Sequence, residues 1–468
     1  MKTDPFSDPW WIERLVKKLT TKPIKPRSCI GESRRYNYKR SDWLDLLYSY
    51  RIGEQPISRL ADKYAQATKE FMRLSKTQFA GAIVDAMLDR VQPIGARLID
   101  QPEDTDGDDN VRAFFQANGA FMQDAADWAF TLAEGHVLVG SGGEDELALA
   151  TAEDPRDWAI SYDPARPRDI VAALKWYYDE DAQQMVAALY RRDDPDGRRH
   201  EHLSTWVCEG ARHTYSFDPA RWRIDESRSV DLIQGIGVPI VTLRNRGGVG
   251  EFEQHLDLID RITNSIADRL WASKYQVFLQ RMLIGNFPPE HPQTGEPINY
   301  DEIFVSDPGS LWRAPAGTEL WESKQLSMAE LLSPVRDDVK ELAMVSRTPF
   351  PLIASDAVNQ SATGVDLYKD GIGFKAEDRI KRWGPDVVRI AKLGLAYSGL
   401  PVPGALEPMF ASVERESMLQ RAQAAAQAQA ANVPPESIWA DVMHMPPDTV
   451  RRWRAQRDRE TLIYGDQS

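Results

Sequence analysis

Apolar residues recur at helical spacing through the first part of the chain. Residues 41–56, SDWLDLLYSYRIGEQP, begin at a Ser-Asp pair, place their apolar residues on neighbouring helical positions, and end at Gly53 and Pro56. Residues 78–98, QFAGAIVDAMLDRVQPIGARL, follow the same period as far as Pro93. The pattern therefore predicts a helix in each stretch, then two more helices and a short strand around Val137 to Val139.

Between residues 157 and 245 the period of the pattern changes towards two. The stretches DIVAALKWYY, QQMVAALYRR and HEHLSTWVCE are typical of strands, and the turn sequence DDPDG separates the last two. The segment VPIVTLRNR ends this block. We predict an antiparallel meander.

The longest helical pattern runs from Phe252 to about Ile284 and corresponds to a helix roughly 50 Å long at 1.5 Å per residue. Its apolar residues are spaced in steps of seven, which is typical of a helix that packs against other long helices. The positions predicted to pack are Phe252, Leu256, Ile259, Ile266 and Leu270.

The second half of the chain alternates irregular and helical segments. Pro and Gly interrupt all periodicity after residue 285, and helix returns in LSMAELLSPVRDDVKELAMVS, which ends at Ser346. A polar loop, a further helix to about Ser398 and an Ala/Gln-rich helical tail follow. The predicted fold class is α+β, mainly helical.

Composition and charge narrow the class of protein. A chain of 468 residues predicts two to four structural units. No apolar run approaches the roughly 20 residues needed to cross a bilayer, and two cysteines suit a reducing compartment, so we expect no membrane partner and assembly in a cytoplasm. The formal net charge of −14 makes tight, general DNA binding a poor prediction, although DNA could still pass along such a surface.

The sequence contains no complete motif for catalysis or for binding a nucleotide or a metal. VGSGGEDE and RGGVGE lack the Lys-Ser/Thr pair of a phosphate-binding loop, and EDTDGDD lacks the ligands of a calcium loop. His200, His202, Cys208 and His213 have no standard zinc spacing, so exposed strand histidines are favoured over a metal site. We predict no enzyme, no cofactor and no metal, with an unrecognised nucleotide or metal enzyme as the weakest alternative.

The C-terminal segment SIWADVMHMPPDTVRRWRAQRDRE permits another function. Two short helices around a Pro-Pro turn, with five arginines on the second, imitate a helix-turn-helix DNA reader. The arginines are Arg451, Arg452, Arg454, Arg457 and Arg459. Asp458 and Glu460 dilute the basic end, so a structural helix pair is the other interpretation; a DNA-binding regulatory or packaging protein is the alternative function.

The order of these units resembles the portal proteins of tailed bacteriophages, of the type found in long-tailed phages of Gram-positive hosts. The resemblance covers nearly the whole chain and rests on four stretches: LLYSYRIGEQP, IVDAMLDRVQPIGARL, DWAFTLAEGHVLVG and the junction from VPIVTLRNR to GEFEQHLDLIDRI. The junction is the most specific of them. One departure is GEFEQ, where the family often has Ser-Asp-Leu-Glu at the start of the long helix.

The resemblance implies a division of the chain into the units of a portal. Residues 1–250 would form the wing, 251–285 the first stem helix, 286–326 the clip, 327–346 the second stem helix, 347–363 the tunnel loop, 364–400 a helix returning to the wing and 401–468 the crown. It further implies a homododecameric ring at one capsid vertex that nucleates procapsid assembly. Its partners would be the terminase large subunit, the major capsid and scaffold proteins, the head-tail connector and passing double-stranded DNA.

The resemblance also assigns roles to two sets of residues. The tunnel loop would line the DNA channel with Pro349, Pro351, Ser355, Asp356, Asn359, Gln360, Ser361 and Thr363. Its prolines would stiffen the loop, its neutral polar groups would let DNA slide, and its aspartate would disfavour adhesion of phosphate. An ordinary helix–helix connection is the alternative. In the clip, Tyr300, Phe304, Trp312 and Trp321 would contact partners or form the clip's own small core.

Overall fold

The computed structural model describes most of the chain. The described residues are 4–23, 34–56, 69, 72–99, 105–143, 146–193, 200–210, 215–277, 281–285, 287–291, 293–300, 317–322, 328–349, 362–413, 418–443, 445 and 447–464. Within them, no helix is long and apolar enough to cross a membrane.

The first half of the fold is a layer of helices beside three groups of antiparallel strands. The helices are α1 (Asp8–Thr20), α2 (Arg40–Arg51), α3 (Phe79–Leu88), α4 (Thr105–Ala117) and α5 (Phe121–Leu132). The strands are β1 (Pro93–Leu98), β2 (Glu134–Gly140), β3 (Leu149–Glu153), β4 (Trp158–Tyr162), β5 (Ile170–Asp179), β6 (Gln184–Asp193), β7 (His200–Glu209), β8 (Arg223–Ile224), β9 (Val230–Asp231) and β10 (Ile240–Arg244). The α+β fold class is confirmed.

The predicted meander is the largest sheet of the described residues. Strands β4 to β8 lie in sequential order, β9 pairs with β7, and the helix α1 packs across one face of the sheet. The three strands predicted between residues 169 and 209 are thereby confirmed. The strand β2 lies between β10 and β3 in a separate sheet of three strands.

The second half contains the long helices. These are α6 (Leu256–Val277), α7 (Met328–Ser346), α8 (Ala362–Tyr397), α9 (Met418–Ala430) and α10 (Pro447–Tyr464). The strands β11 (Arg281–Ile284) and β12 (Glu319–Glu322) pair with each other, and β13 (Leu406–Phe410) pairs with β1. A short helical turn, Pro435–Ser437, leads into the π-helical turn Ile438–Val442.

The long helix after residue 252 is shorter than its pattern predicted. A 3-10 turn, Glu253–His255, precedes α6, and the helix ends at Val277 after 22 residues, about 33 Å. The apolar run then continues as β11, because a short run of apolar residues fits a strand as well as a helix. The prediction of helix across 281–284 was therefore wrong.

The predicted start of the C-terminal unit also needs correction. Residues 406–410 pair with β1, in a register that places Leu406 opposite Leu98 and Phe410 opposite Pro93. Residues 401–413 thus lie against the first part of the fold instead of beginning a separate helical unit. Local patterning carries no information on this pairing, since its partners are about 300 positions apart in the chain.

One main core joins the two halves. Helices α2 to α5, strands β2, β3 and β10, and helices α6 to α8 all contribute buried side chains to it. Helix α8 crosses α4 so closely that a Cβ added at Gly394 would lie 2.5 Å from the Phe114 ring. Glycine is therefore required at this crossing.

A buried ion cluster joins the start of α6 to α8. Glu251 Oε1 accepts hydrogen bonds from Arg379 Nε at 3.0 Å and Nη2 at 2.8 Å, and Lys375 Nζ lies 2.6 Å from Oε2. The same ammonium group donates to the Ser346 carbonyl, at the end of α7, at 3.0 Å. Burial would raise the pKa of Glu251, but the charges of Lys375 and Arg379 outweigh it and hold the pKa below its ordinary value.

We expect Glu251→Gln to lower the free energy of unfolding by about 3–5 kcal/mol, because two buried cations lose their anion. Urea unfolding followed by tryptophan fluorescence measures the change. The control is Glu377→Gln on the same helix, where a half-exposed carboxylate lies 3.7 Å from the Lys381 ammonium. That variant should change stability by less than about 0.5 kcal/mol. Equal stability of the two variants would contradict the prediction.

The wild type and Glu251→Gln should also differ in how their stability depends on pH. Folding lowers the pKa of Glu251 below its ordinary value of 4.5. The stabilisation that the ionised carboxylate gives the folded state is therefore complete above pH 4.5 and is lost as pH falls through the lower, folded-state pKa. Acidification below that value should therefore destabilise the wild type more than Glu251→Gln.

Candidate functional site

The segment between α7 and α8 leaves α7 through a closed helix end. Arg347 has a left-handed backbone with φ of 55°. Its N–H donates to the Met344 carbonyl at 3.2 Å, and the Thr348 N–H donates to the Ala343 carbonyl at 3.0 Å. This pair of bonds is a Schellman motif, in which glycine usually occupies the position of Arg347. The direction of the chain at the start of the segment is therefore set by the backbone.

Side chains fix the same helix end from within. Ser346 and Thr348 are buried, and their hydroxyl groups lie 3.0 Å apart. Pro349 is buried beside them. The hydrogen bond from Lys375 to Ser346 then connects this end to α8. The segment thus begins on a braced base that also contacts the helix to which it returns.

The predicted loop residues fall mostly outside the described part of the chain. Pro351, Ser355, Asp356, Asn359, Gln360 and Ser361 lie there, and their assignment to the channel stays a prediction. Thr363 is different, because α8 begins at Ala362 and Thr363 belongs to its first turn. The predicted loop end at residue 363 was therefore two positions too late. The periodicity of the helix resumes before Gly364, and boundaries of this kind shift by one or two residues.

Exposed apolar side chains occur on both helices that meet at this base. Met344 and Val345 in the last turn of α7 are 68% and 44% exposed, and Phe374 on α8 is 69% exposed. Phe374 directly precedes Lys375, which contacts the end of α7. The sequence analysis missed this surface. The predicted packing positions were confined to residues 252–270, and no face was assigned to the helices that contain Met344, Val345 and Phe374.

The two long helices that precede the segment pack side by side. Phe252, Leu256 and Ile259 are buried in the main core, where Leu342 and Ala343 of α7 also lie. Ile266 packs at the edge of that core, and Leu270 is half-buried. Arg261 forms ion pairs with Asp338 at 3.0 Å and with Glu341. Helices α6 and α7 therefore form one supported pair.

The residues predicted to contact partners lie on the strand β12 or in the segment between β11 and β12. Trp321 on β12 is 49% exposed. Tyr300 donates its hydroxyl to the Pro288 carbonyl at 2.7 Å and packs edge-on against Phe287, so this tyrosine supports a small local structure. Phe304 and Trp312 lie outside the described residues. Their predicted roles, and the choice between partner contact and local core, stay open.

The C-terminal helix pair is held by aromatic and ionic contacts. Trp439 and Trp453 pack edge to face with ring centroids 5.5 Å apart, and Arg457 pairs with Glu436. Arg452, Arg454 and Arg459 are exposed, whereas the side chain of Arg451 is not described. A tryptophan contact between the two segments supports the structural interpretation. Arg457 is thus paired with the residue directly before the motif.

The histidines weighed as zinc ligands have other partners. His202 Nε2 lies 3.0 Å from Arg191 Nε and 3.5 Å from Asp8, His200 lies 3.6 Å from Asp231, and Cys208 is buried. His213 lies outside the described residues. In the described part of the chain, no three potential metal ligands come together.

The glycine-rich sequence RGGVGE forms a structural turn. Asn245 accepts from the Arg246 N–H at 2.8 Å and donates to the Val249 carbonyl at 2.8 Å. The Gly250 N–H donates to Glu253 at 2.8 Å, and Glu253 also accepts from the Trp43 indole at 3.1 Å. These backbone groups are thus engaged within the chain.

Three solved structures of gene transfer agent particles are similar to the chain, each at 13% identity. The neck of a native particle computed with C12 symmetry matches 82% of this chain and 94% of that chain, with a TM-score of 0.39. The virion of a native particle matches 85% and 99%, with a TM-score of 0.36. The neck of an empty particle computed with C6 symmetry matches 82% and 94%, with a TM-score of 0.36. No curated protein matches the chain significantly.

A protein family matches nearly the whole sequence. Residues 37–461 match the family described as phage portal protein, SPP1 Gp6-like. The match confirms the resemblance stated from the sequence, and it includes both long helices and the segment between α7 and α8. The chain therefore belongs to the SPP1 Gp6-like family of phage portal proteins and is a structural, non-enzymatic component of the portal vertex of a virion.

Proposed function

We propose that this portal protein forms a ring of twelve copies around a channel through which DNA is packaged and ejected. The ring nucleates procapsid assembly, docks the terminase large subunit and later holds the head-tail connector. The observation that carries the proposal is the braced base of the segment after α7. A loop that faces moving DNA needs a rigid support, and here a Schellman motif and the Lys375 contact supply it.

The units of the portal are assigned within this proposal. Helices α6 and α7 are the stem, the ribbon of β11 and β12 is the base of the clip, and residues 347–361 form the tunnel loop. We assign residues 401–413 to the wing and the start of the crown to the residues after them; the pairing of β13 with β1 supports this. The ion pairs of Arg261 tie the two stem helices together.

In this proposal, neighbouring copies contact each other through the exposed apolar side chains of Met344, Val345 and Phe374. Exposed apolar groups on two helices around one point are typical of a surface that a partner covers. In a closed ring, each copy would cover this surface on its neighbour, which removes it from water.

The first test is the mass and shape of the purified protein. We expect a ring with a central hole and a mass near twelve protomers of 53.0 kDa, about 640 kDa, by light scattering and negative-stain imaging. Phe374→Asp should shift the population towards free protomers, because burying an unpaired charge opposes association. Val402→Asp is the matched control, since Val402 is also exposed, at 43%. Protomers alone, even with capsid and scaffold proteins present, would refute the ring.

The second test concerns the charge of the loop. Asp356→Arg should increase the affinity of the ring for duplex DNA and steepen its salt dependence by about 0.9 in log–log slope for each phosphate contacted. Fluorescence anisotropy across a salt series measures both quantities, and packaging yield should fall as DNA adheres. Asp356→Asn is the control, because it removes the negative charge without adding an Arg–phosphate contact. Unchanged DNA affinity in Asp356→Arg would exclude a channel-lining position for this residue.

A further inference from the structure

An arginine-lined cavity of about 310 Å³ lies on the side of α8 that faces the strands. The connection between β4 and β5, the strand β10 and the middle of α8 line it, and it opens to solvent past Arg168 and Arg382. Among the described residues, four arginines and one carboxylate line it. The arginines are Arg168, Arg244, Arg382 and Arg389, and the carboxylate is that of Asp386. An excess of guanidinium groups around one space is unusual in a chain whose formal net charge is −14.

Arg244 is held in place without an ion pair. Its guanidinium lies 3.7 Å from the centroid of the Tyr162 ring, whose hydroxyl donates to Thr242 at 3.0 Å. It donates to the Pro167 carbonyl at 3.5 Å, and the Tyr162 hydroxyl is a further hydrogen-bond partner. None of the ion pairs between described residues includes it. Stacking on an aromatic ring fixes a guanidinium while most of its donors stay unused.

Arg168 and Arg389 have carboxylate partners only at long distances. Arg168 lies 4.0 Å from Asp386, and Arg389 lies 3.9 Å from Asp169. Direct charge-assisted hydrogen bonds are about 2.7–2.9 Å long, so neither pair is in close contact. Gly237 leaves room for Arg389, since a Cβ there would be 3.1 Å from its Nη2.

Arg382 is the exception among the four. Its Nε donates to Asp378 at 2.9 Å, and its side chain is 47% exposed. We therefore place it at the mouth of the cavity beside Arg168, which is 59% exposed; unlike Arg168, it has its charge largely matched by a close carboxylate. The three arginines left are Arg168, Arg244 and Arg389, and Asp386 is the one carboxylate among the described residues that line the cavity with them. Arg168 and Arg389 otherwise donate to backbone carbonyls, of Arg382 at 3.4 Å and of Arg168 at 3.5 Å.

We propose that this cavity binds an oxyanion group, a phosphate or a carboxylate, between Arg168, Arg244 and Arg389. Planar guanidinium groups match the oxygen pairs of both anions and form charge-assisted bonds with them. The volume is at the lower end of that of small-molecule sites and exceeds what a bare phosphate needs. The inference does not depend on the ring proposed above.

Asp386 makes binding depend on pH. Burial raises the pKa of Asp386 to about 6, although Arg168, Arg389 and Arg244 act against burial. The other charged groups around it are Asp169 on the connection before β5 and Arg382 on α8 itself, with the Tyr162 phenol across the cavity. An ionised Asp386 repels a bound anion, so anion binding should strengthen as pH falls below about 6.

Two sources can supply the anion, and they share the same chemistry. One is a free phosphate or carboxylate in solution. The other is an acidic side chain of a second copy of this chain, which is rich in Asp and Glu. The effect of sulfate on self-association separates them. Sulfate that binds and leaves association unchanged supports the free anion, whereas sulfate that binds and weakens association supports a carboxylate from a second copy.

The experiment uses the full chain with sodium sulfate as the probe, compared with sodium chloride at equal ionic strength. Sulfate stays a dianion over the working range, so the pH dependence reports the protein. We expect saturable binding by calorimetry, weakened about tenfold or more by Arg244→Gln and by Arg389→Gln. Asp386→Asn should bind more tightly than the wild type near pH 8 and lose most of the pH dependence between about pH 5 and pH 8.

The control is Arg221→Gln, which removes one exposed arginine on the loop before β8 and should bind sulfate like the wild type. Circular dichroism checks that each variant folds, and the exposed position of Arg244 keeps the test valid if Arg389→Gln does not fold. Sulfate also stabilises proteins by exclusion from their surfaces. If the calorimetric signal with sulfate is the same for the wild type, Arg244→Gln and Arg221→Gln, sulfate acts only by exclusion and the proposal is overturned.

Discussion

The buried carboxylate of Glu251 is the contact on which the relative positions of the long helices depend. It lies just before α6, receives two hydrogen bonds from Arg379 and one ammonium contact from Lys375, and through Lys375 reaches the last carbonyl of α7. The segment just before α6, the end of α7 and the helix α8 thus meet at one charge. A buried charge is tolerated only where its partners are complete, so each helix has one permitted position relative to the other two.

This constraint explains why the segment after α7 can be long and still have fixed ends. The Schellman motif sets the direction in which the chain leaves α7, and the ion cluster sets the distance to α8. Trp383, one helical turn after Arg379, is fully buried and donates its indole N–H to the Arg244 carbonyl at 2.9 Å. Helix α8 is therefore anchored to both the ion cluster and the strand β10, and a force on the segment would pass into the main core.

Local periodicity was enough to predict the elements but not how distant ones meet. The strands β5 to β7 were predicted because successive side chains of a strand lie on opposite faces of a sheet: Ala172, Leu174 and Trp176 of β5 pack with α1, whereas Ala173 packs on the other face. The end of α6 was not, since the apolar run through residue 284 suits either a helix or a strand. The pairing of β13 with β1, and the cluster around Glu251, join residues more than a hundred positions apart.

The candidate site was predictable to a smaller extent than the fold. Position in the chain indicated the segment between the helices, but the left-handed Arg347 has no sequence signal, because glycine is the residue that normally marks this turn. The cavity was equally hidden, since Arg168, Arg244 and Arg389 come from three elements and look in the sequence like ordinary surface arginines.

The distribution of arginines connects the net charge of the protein to its fold. Many arginines hold distant segments together: Arg34 pairs with Asp260 at 2.7 Å, Arg51 with Asp127 at 3.0 Å and Arg191 with Asp8 at 2.6 Å. An arginine engaged in this way contributes little positive potential at the surface. Each such pair also engages one carboxylate, so the groups outside the pairs still carry the excess of 71 acidic residues over 57 basic ones, a net charge of −14. Such a surface disfavours contact with phosphate, and that makes a cavity with three loosely paired arginines stand apart from the rest of the chain.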